Sequence, residues 1–245
     1  MLEVTTGRDR EIIVMPEGWL LDLGRRPYRE VWELQTALVD RRAEERIRDG
    51  LILVEHDPVI TLGRRGTPAD VLEPGLDVVE VERGGEATYH GPGQLVGYPI
   101  LRLPDRLQVK RLVTDLEEVL IRTSADFGIE AGREASERGV WVRGRKLASI
   151  GLAVHRGVSF HGFAQNVTTD LAAFRRIRPC GHAGDIMTSM AAILGHPVDL
   201  EDVKASVIVH FQSVFGLTLR RVEVGELLPG PRRSPPSRGP PGADG

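Results

Sequence analysis

Apolar residues recur along this chain in two rhythms, and the switching between them outlines the fold. Val31, Leu34, Leu38 and Ile47 fall at roughly helical spacing behind Pro27, which suits a first helical turn, with Gly50 as a stop. A second amphipathic helix is predicted over Val109–Phe127, with Leu112, Val113, Leu116, Val119, Leu120 and Phe127 on one side and Gly128 ending it. Asp199 caps a third, whose apolar face is Val203, Val207, Phe211 and Val214. Met187–Leu194 reads as a further helix and Leu171–Ile177 as a short helical turn. Shorter apolar runs read as strands: Glu11–Val14, Trp19–Leu23, Leu51–Val54, Val59–Leu62, Val78–Val81, Leu95–Ile100, Val140–Val142, Leu147–Val154, Val158–Val167 and Leu217–Val224. Turns between strands outnumber helical crossovers, which favours an α+β fold over a doubly wound parallel sheet.

At 245 residues the chain is long enough to bury a sizeable core, and one domain spanning residues 1–228 is expected. Pro229–Gly245 is rich in Pro, Gly, Ser and Arg, and its lack of apolar groups predicts a disordered tail. With 32 basic and 35 acidic side chains, the net charge of -3 gives no electrostatic case for nucleic acid. Cys180 is the only cysteine, so no intramolecular disulfide is expected. Met1–Glu11 is polar and no apolar run approaches the length of a membrane span. A cytoplasmic protein that neither binds nor crosses a membrane is the expectation.

One stretch differs from the rest. Between two strand-like runs lies Arg83-Gly84-Gly85-Glu86-Ala87-Thr88-Tyr89-His90-Gly91-Pro92-Gly93-Gln94. Its glycines permit close backbone approach and Pro92 stiffens the turn, so it reads either as a binding wall or as a hairpin whose polar groups satisfy one another. It lacks the G-K-[ST] ending of a phosphate loop and the G-x-G-x-x-G dinucleotide pattern. Cys180, between Pro179 and Gly181, is either a small buried hydrophobe or a nucleophile activated by a nearby cation. Lys146 follows the turn Arg143-Gly144-Arg145 and precedes an apolar strand, so it is either a surface lysine or that cation facing a partly dry site. The seven histidines show no metal-binding spacing, and no metal or cofactor is expected.

Four motifs in order carry a specific resemblance: the stretch from Arg83 to Val96, Gly144-Arg145-Lys146-Leu147-Ala148-Ser149-Ile150-Gly151, His161-Gly162-Phe163-Ala164-Gln165-Asn166-Val167, and Ile177-Arg178-Pro179-Cys180-Gly181. The sequence resembles the lipoyl(octanoyl) transferases over about residues 15 to 220. The resemblance implies the fold of biotin and lipoate protein ligases, with a mixed larger sheet, a smaller sheet and flanking helices. It also implies an acylated cysteine and a nearby lysine, falling on Cys180 and Lys146. The implied acyl-binding residues are Arg83, Gly84, Gly85, Glu86, Ala87, Thr88, Tyr89 and His90, then Ser149, Ile150 and Gly151, then Gly162, Phe163 and Ala164. Phe163 stands where a smaller aliphatic residue is common in the family. The implied activity moves octanoyl from octanoyl-acyl carrier protein to a lysine on lipoyl domains of 2-oxoacid dehydrogenase complexes or on the glycine cleavage H protein. An ATP-dependent lipoate or biotin ligase, or a carrier-domain binding module without catalysis, is the alternative.

Overall fold

The computed structural model describes residues 15–229 apart from 106–107, 136 and 179–185. Its α+β architecture is a mixed seven-stranded sheet with helices on both faces and a three-stranded sheet beside it. The strands are β1 (Glu17–Arg26), β2 (Gly50–His56), β3 (Val59–Leu62), β4 (Asp77–Glu80), β5 (Ala87–His90), β6 (Gln94–Ile100), β7 (Val140–Val142), β8 (Arg145–His155), β9 (Val158–Asn166) and β10 (Thr218–Arg221). The large sheet runs β10-β1-β2-β6-β9-β8-β7, and the small one β4-β3-β5. β1 lies parallel to both β10 and β2, and the pairings from β2 through to β7 are antiparallel.

The central strands are covered on both faces, which is why they read as nearly unbroken apolar runs rather than alternating ones. Alternation survives in which core each residue enters. On β6, Leu95 joins the core under α2 (Gln108–Asp126) and α4 (Leu200–Phe215), whereas Val96, Tyr98 and Ile100 join the core under α1 (Tyr28–Ala43). Two tight turns shape the β7–β8–β9 meander. Arg143 and Gly144, and again Arg156 and Gly157, all take positive φ, the pattern of two-residue hairpin turns matched to strand twist.

Several expected elements shift. α1 ends at Ala43 and leaves Ile47 in the connection; Glu45, with φ of 59°, breaks the helix there. Gly50 is no helix stop but the first residue of β2, and it is glycine because a Cβ there would sit inside the Trp19 indole. Part of the glycine-rich stretch is strand, since Ala87–His90 pairs antiparallel with β3. The helix expected from Met187 is the short α3 (Met190–Leu194), started by Ser189, whose hydroxyl accepts from the Ala192 N–H. Residues 171–176 form a 3-10 turn capped by Asp170. The final strand stops at Arg221, and Val224 begins a one-turn helix, α5 (Val224–Leu227). Asp199 caps α4 through the Glu201 N–H, as its position predicts. The strand expected over residues 11–14, and the tail beyond Pro229, lie outside the described residues.

Candidate active site

A narrow cavity of about 60 Å³ lies between the two sheets. That is room for a short file of water-sized groups, each needing roughly 10–15 Å³ on this measure, and suits a slender chain. Arg83, Gly84, Gly85, Glu86, Ala87, Thr88 and His90 line one side, and Ser149, Ile150, Gly151, Gly162, Phe163 and Ala164 the other, with Lys146 at the same cavity. Strand pairing explains the second wall: Ser149 faces Ala164 and Val96 across β8, β9 and β6, and Gly151 pairs with Gly162. The glycines allow the walls to approach. A Cβ on Gly151 would come within 2.9 Å of the Gly84 carbonyl, and one on Gly162 would meet the Gly97 carbonyl.

Tyr89 does not reach this cavity. Because β5 alternates, its ring points into the other core, edge-on to Phe174 with centroids 5.5 Å apart. Phe163 borders the cavity, but its ring packs in the α2/α4 core over Gly97, whose missing side chain leaves the space. The larger residue at this position is therefore accommodated away from the wall.

Lys146 is not the surface lysine that a hairpin end suggests. Only 4% exposed, it sits on β8 opposite Trp141, with Nζ 5.1 Å from the indole centroid and 3.4 Å from Glu137 Oε2. The aromatic face and the carboxylate each attract a cation and so offset part of the cost of burying it. The segment bearing Glu137 is tied down by Glu117, which accepts from the Gly139 N–H at 3.1 Å and pairs with Arg133 at 3.2 Å. Gly139 has φ of 124°, and a Cβ there would strike the Ala148 carbonyl. Cys180 lies outside the described residues, as does Gly181. The chain reaches Arg178, whose N–H bonds to the Asp70 carbonyl, and resumes at Ile186; the next residue, Met187, bridges to Lys146, and the Thr188 N–H donates to the Lys146 carbonyl.

Arg83 acts as a clamp on the glycine stretch. Its guanidinium donates to the carbonyls of Gly84, Glu86 and Thr61 and to the Thr61 hydroxyl. The Gly84 N–H is spent on the Leu152 carbonyl at 3.0 Å, so it is not a donor toward a substrate oxyanion.

In and beside the wall lies a buried group of rings whose tautomers follow from their partners. His56 Nδ1 is 3.0 Å from the Arg26 carbonyl, which only accepts, so Nδ1 carries the proton and Nε2 accepts from the Tyr98 hydroxyl at 2.7 Å. Gln94 donates its amide to the Tyr89 carbonyl and to Asn166, which leaves its oxygen to accept from His90 Nδ1 at 2.8 Å. His161 gives Nε2–H to Glu82 at 3.2 Å and takes the Tyr28 hydroxyl on Nδ1 at 3.5 Å. Burial pushes His56 and His161 each down to about 4 and His90 well below the usual imidazole range, while it raises the Tyr28 and Tyr98 phenols. These imidazoles are therefore neutral at pH 7. His161 also holds a φ of 54° inside β9, a conformation that non-glycine residues rarely adopt, and turns its N–H to Gln35 Oε1 at 2.8 Å. Among the described residues no group of His, Asp and Glu is placed to hold a metal ion, and no helix is long and apolar enough to cross a membrane.

Tyr28, Val96, Tyr98, Glu137, His161, Ile186 and Met187 also line the cavity, and sequence reasoning did not single them out as site residues. His161 stands inside a quoted motif, which was a usable signal. Tyr28 and Tyr98 had none, because each occupies an ordinary buried position of its helix or strand.

Residues 27–212 match the family model for the lipoyl protein ligase A/B catalytic domain. The octanoyltransferase of Syntrophotalea carbinolica is 47% identical over 207 residues, 84% of this chain and 98% of that protein. That of Geobacter metallireducens is 46% identical over 209 residues, with 85% and 98% covered. Among solved structures, a lipoate-protein ligase A bound with ATP superposes with a TM-score of 0.69 at 16% identity, covering 86% of this chain and 92% of that one. LipL1 of P. falciparum in complex with lipoate gives 0.64 at 13% identity, covering 86% and 68%. At such identities these two structures establish the shared fold alone. The sequence matches carry more: this chain belongs to the lipoyl protein ligase A/B catalytic-domain family and, within it, is an enzyme of the octanoyltransferase kind.

Proposed function

We propose that this enzyme takes octanoyl from octanoyl-acyl carrier protein onto Cys180 and passes it to a lysine of a lipoyl domain, in a 2-oxoacid dehydrogenase complex or the glycine cleavage H protein. The observation that carries this reading is a buried lysine at a narrow cavity, next to the chain that leads on from the sole cysteine. In the first half, the Cys180 thiolate attacks the carrier thioester. One C–S bond forms, one breaks, and the carrier leaves as a thiol. In the second, the acceptor amine attacks the Cys180 thioester, the amide C–N bond forms, and Cys180 departs as the thiolate. Lys146, as the ammonium, favours the thiolate and gives its proton to the departing carrier sulfur; as the free amine it then takes the proton released by the incoming lysine, which restores the thiolate–ammonium pair. No bond-making step consumes ATP, because thioester aminolysis is already downhill. The cytoplasm is the compartment this reading implies, and residues 1–228 are proposed as the catalytic domain, with the tail unnecessary for chemistry.

An ATP-dependent ligase shares the fold, and a carrier-binding module would share the surface. Purified protein, octanoyl-acyl carrier protein and a lipoyl domain, with ATP omitted, separate the three readings. Octanoyl-lysine forms under the proposal, forms only after ATP is added if the protein is a ligase, and does not form in either case for a binding module.

A further inference from the structure

Part of the cavity lining is aromatic, and nothing in the transfer chemistry requires those rings. Lys146 and Glu137 line the cavity, and so do Tyr98 and Tyr28. Lys146 is on β8 and Tyr98 on β6, with β9 between them, so two strand spacings of about 4.8 Å separate the strands that carry them. Tyr98 is packed in the α1 core with Ile52, Val54 and Phe160, and its hydroxyl is pinned by His56 at 2.7 Å. That imidazole cannot turn to release it, because its other nitrogen is bonded to the Arg26 carbonyl. Tyr28 stacks on His90 with centroids 5.7 Å apart and meets His56 edge-on at 5.1 Å. Its own hydroxyl bond, to His161, is long at 3.5 Å. The Tyr98 hydroxyl is thus engaged by His56, which does not line the cavity, so its ring is the part suited to a methyl end.

We infer that Tyr98, pinned by His56, is the stop that sets the length of acyl chain the enzyme accepts. The inference rests on the acyl-transfer reading of this cavity. An open apolar tunnel favours longer chains by about fourfold for each added methylene. A stop reverses that preference only if moving it costs more than the added contact returns. Displacing Tyr98 breaks a bond between buried groups and leaves His56 Nε2 and the phenol without partners, a loss large enough to oppose two methylenes. Tyr28, more weakly held, is the poorer candidate.

The test compares kcat/KM for octanoyl and decanoyl carrier thioesters in the full chain, with thermal unfolding recorded for each variant. Tyr98→Phe keeps the ring and removes the pin, and the decanoyl-to-octanoyl ratio is expected to rise about two- to tenfold. Tyr98→Leu removes the ring, with a rise of tenfold or more. Tyr28→Phe is expected to change the ratio less than twofold. If Y98F unfolds cooperatively and keeps the wild-type ratio, the inference is overturned, whatever Y98L does; a larger effect from Y28F than from Y98F also overturns it. A wild-type enzyme that transfers neither chain contradicts the acyl-transfer reading itself.

Discussion

Replacing Arg83 with lysine keeps the charge but removes the planar fork, and the structure gives the size of the effect. To described residues the guanidinium makes five donor contacts of 2.7–3.2 Å, spread over the Thr61 hydroxyl and the carbonyls of Thr61, Gly84 and Glu86. An ammonium has three N–H groups projecting from one point, so at least two of these contacts are lost. At about 1 kcal/mol net for each, R83K is expected to lose about 2 kcal/mol. For a domain of this size that lowers the melting temperature by about 4–8 °C. The loss of loop order should appear as a raised KM for the carrier thioester alongside the lower melting temperature. Calorimetry and steady-state kinetics on the same preparation read both. An R83K enzyme that melts within 1 °C of wild type yet loses most activity would refute the clamp, because it would mean that the guanidinium acts on the substrate and not on the loop.

Further outcomes follow from other contacts. Stability should fall as pH drops from about 6.5 toward 4, because His56 and His161 have folded pKa values of about 4 and protonate first in the unfolded chain; for His56 alone the window is worth on the order of 3 kcal/mol, and a urea midpoint unchanged between pH 7 and pH 5 would contradict it. Gly85→Ala should destabilise by about 1–2 kcal/mol through its φ of 91°, whereas Gly84→Ala, with nothing nearer than 3.7 Å to its Cβ, should melt close to wild type; comparable melting losses in both would reject the distinction. Glu117→Gln should weaken the tie that holds the Glu137 segment beside Lys146, costing about 1–3 kcal/mol, and circular dichroism melts that match wild type would show that the tie carries no weight. Lys146→Met should lower acyl transfer at least a hundredfold while leaving cooperative unfolding intact, and turnover near wild type would remove the lysine from the mechanism.

What the sequence made legible follows the range over which each signal acts. Local signals held up. Asp199 before an apolar face, the glycine of the Arg143-Gly144-Arg145 turn, and continuous apolar runs all report neighbours a few residues away, and the structure has the corresponding cap, hairpin and buried strands. Gly50 was misread because its reason is the Trp19 ring, 31 positions earlier in the chain and on the neighbouring strand. Ala87–His90 was hidden as a strand because its pairing partner is β3, and the glycines around it dominate any local reading. The aromatic group at the cavity was the least visible part. Tyr28, His56, Tyr98 and His161 come from one helix and three strands, and their meeting depends on strand order, which single-sequence periodicity does not encode. Glu137 was equally silent, since only the hairpin fold of β7 and β8 brings its segment over Lys146.

The most direct test of the account is intact-mass spectrometry of the full chain after mixing with octanoyl-acyl carrier protein in the absence of ATP. The account predicts a single octanoyl adduct mapped to Cys180, removed by hydroxylamine, discharged when a lipoyl domain is added, and absent from Cys180→Ser as a thioester. Octanoyl-lysine appearing on the lipoyl domain at the wild-type rate with C180S, or an adduct that forms only when ATP is supplied, would contradict it.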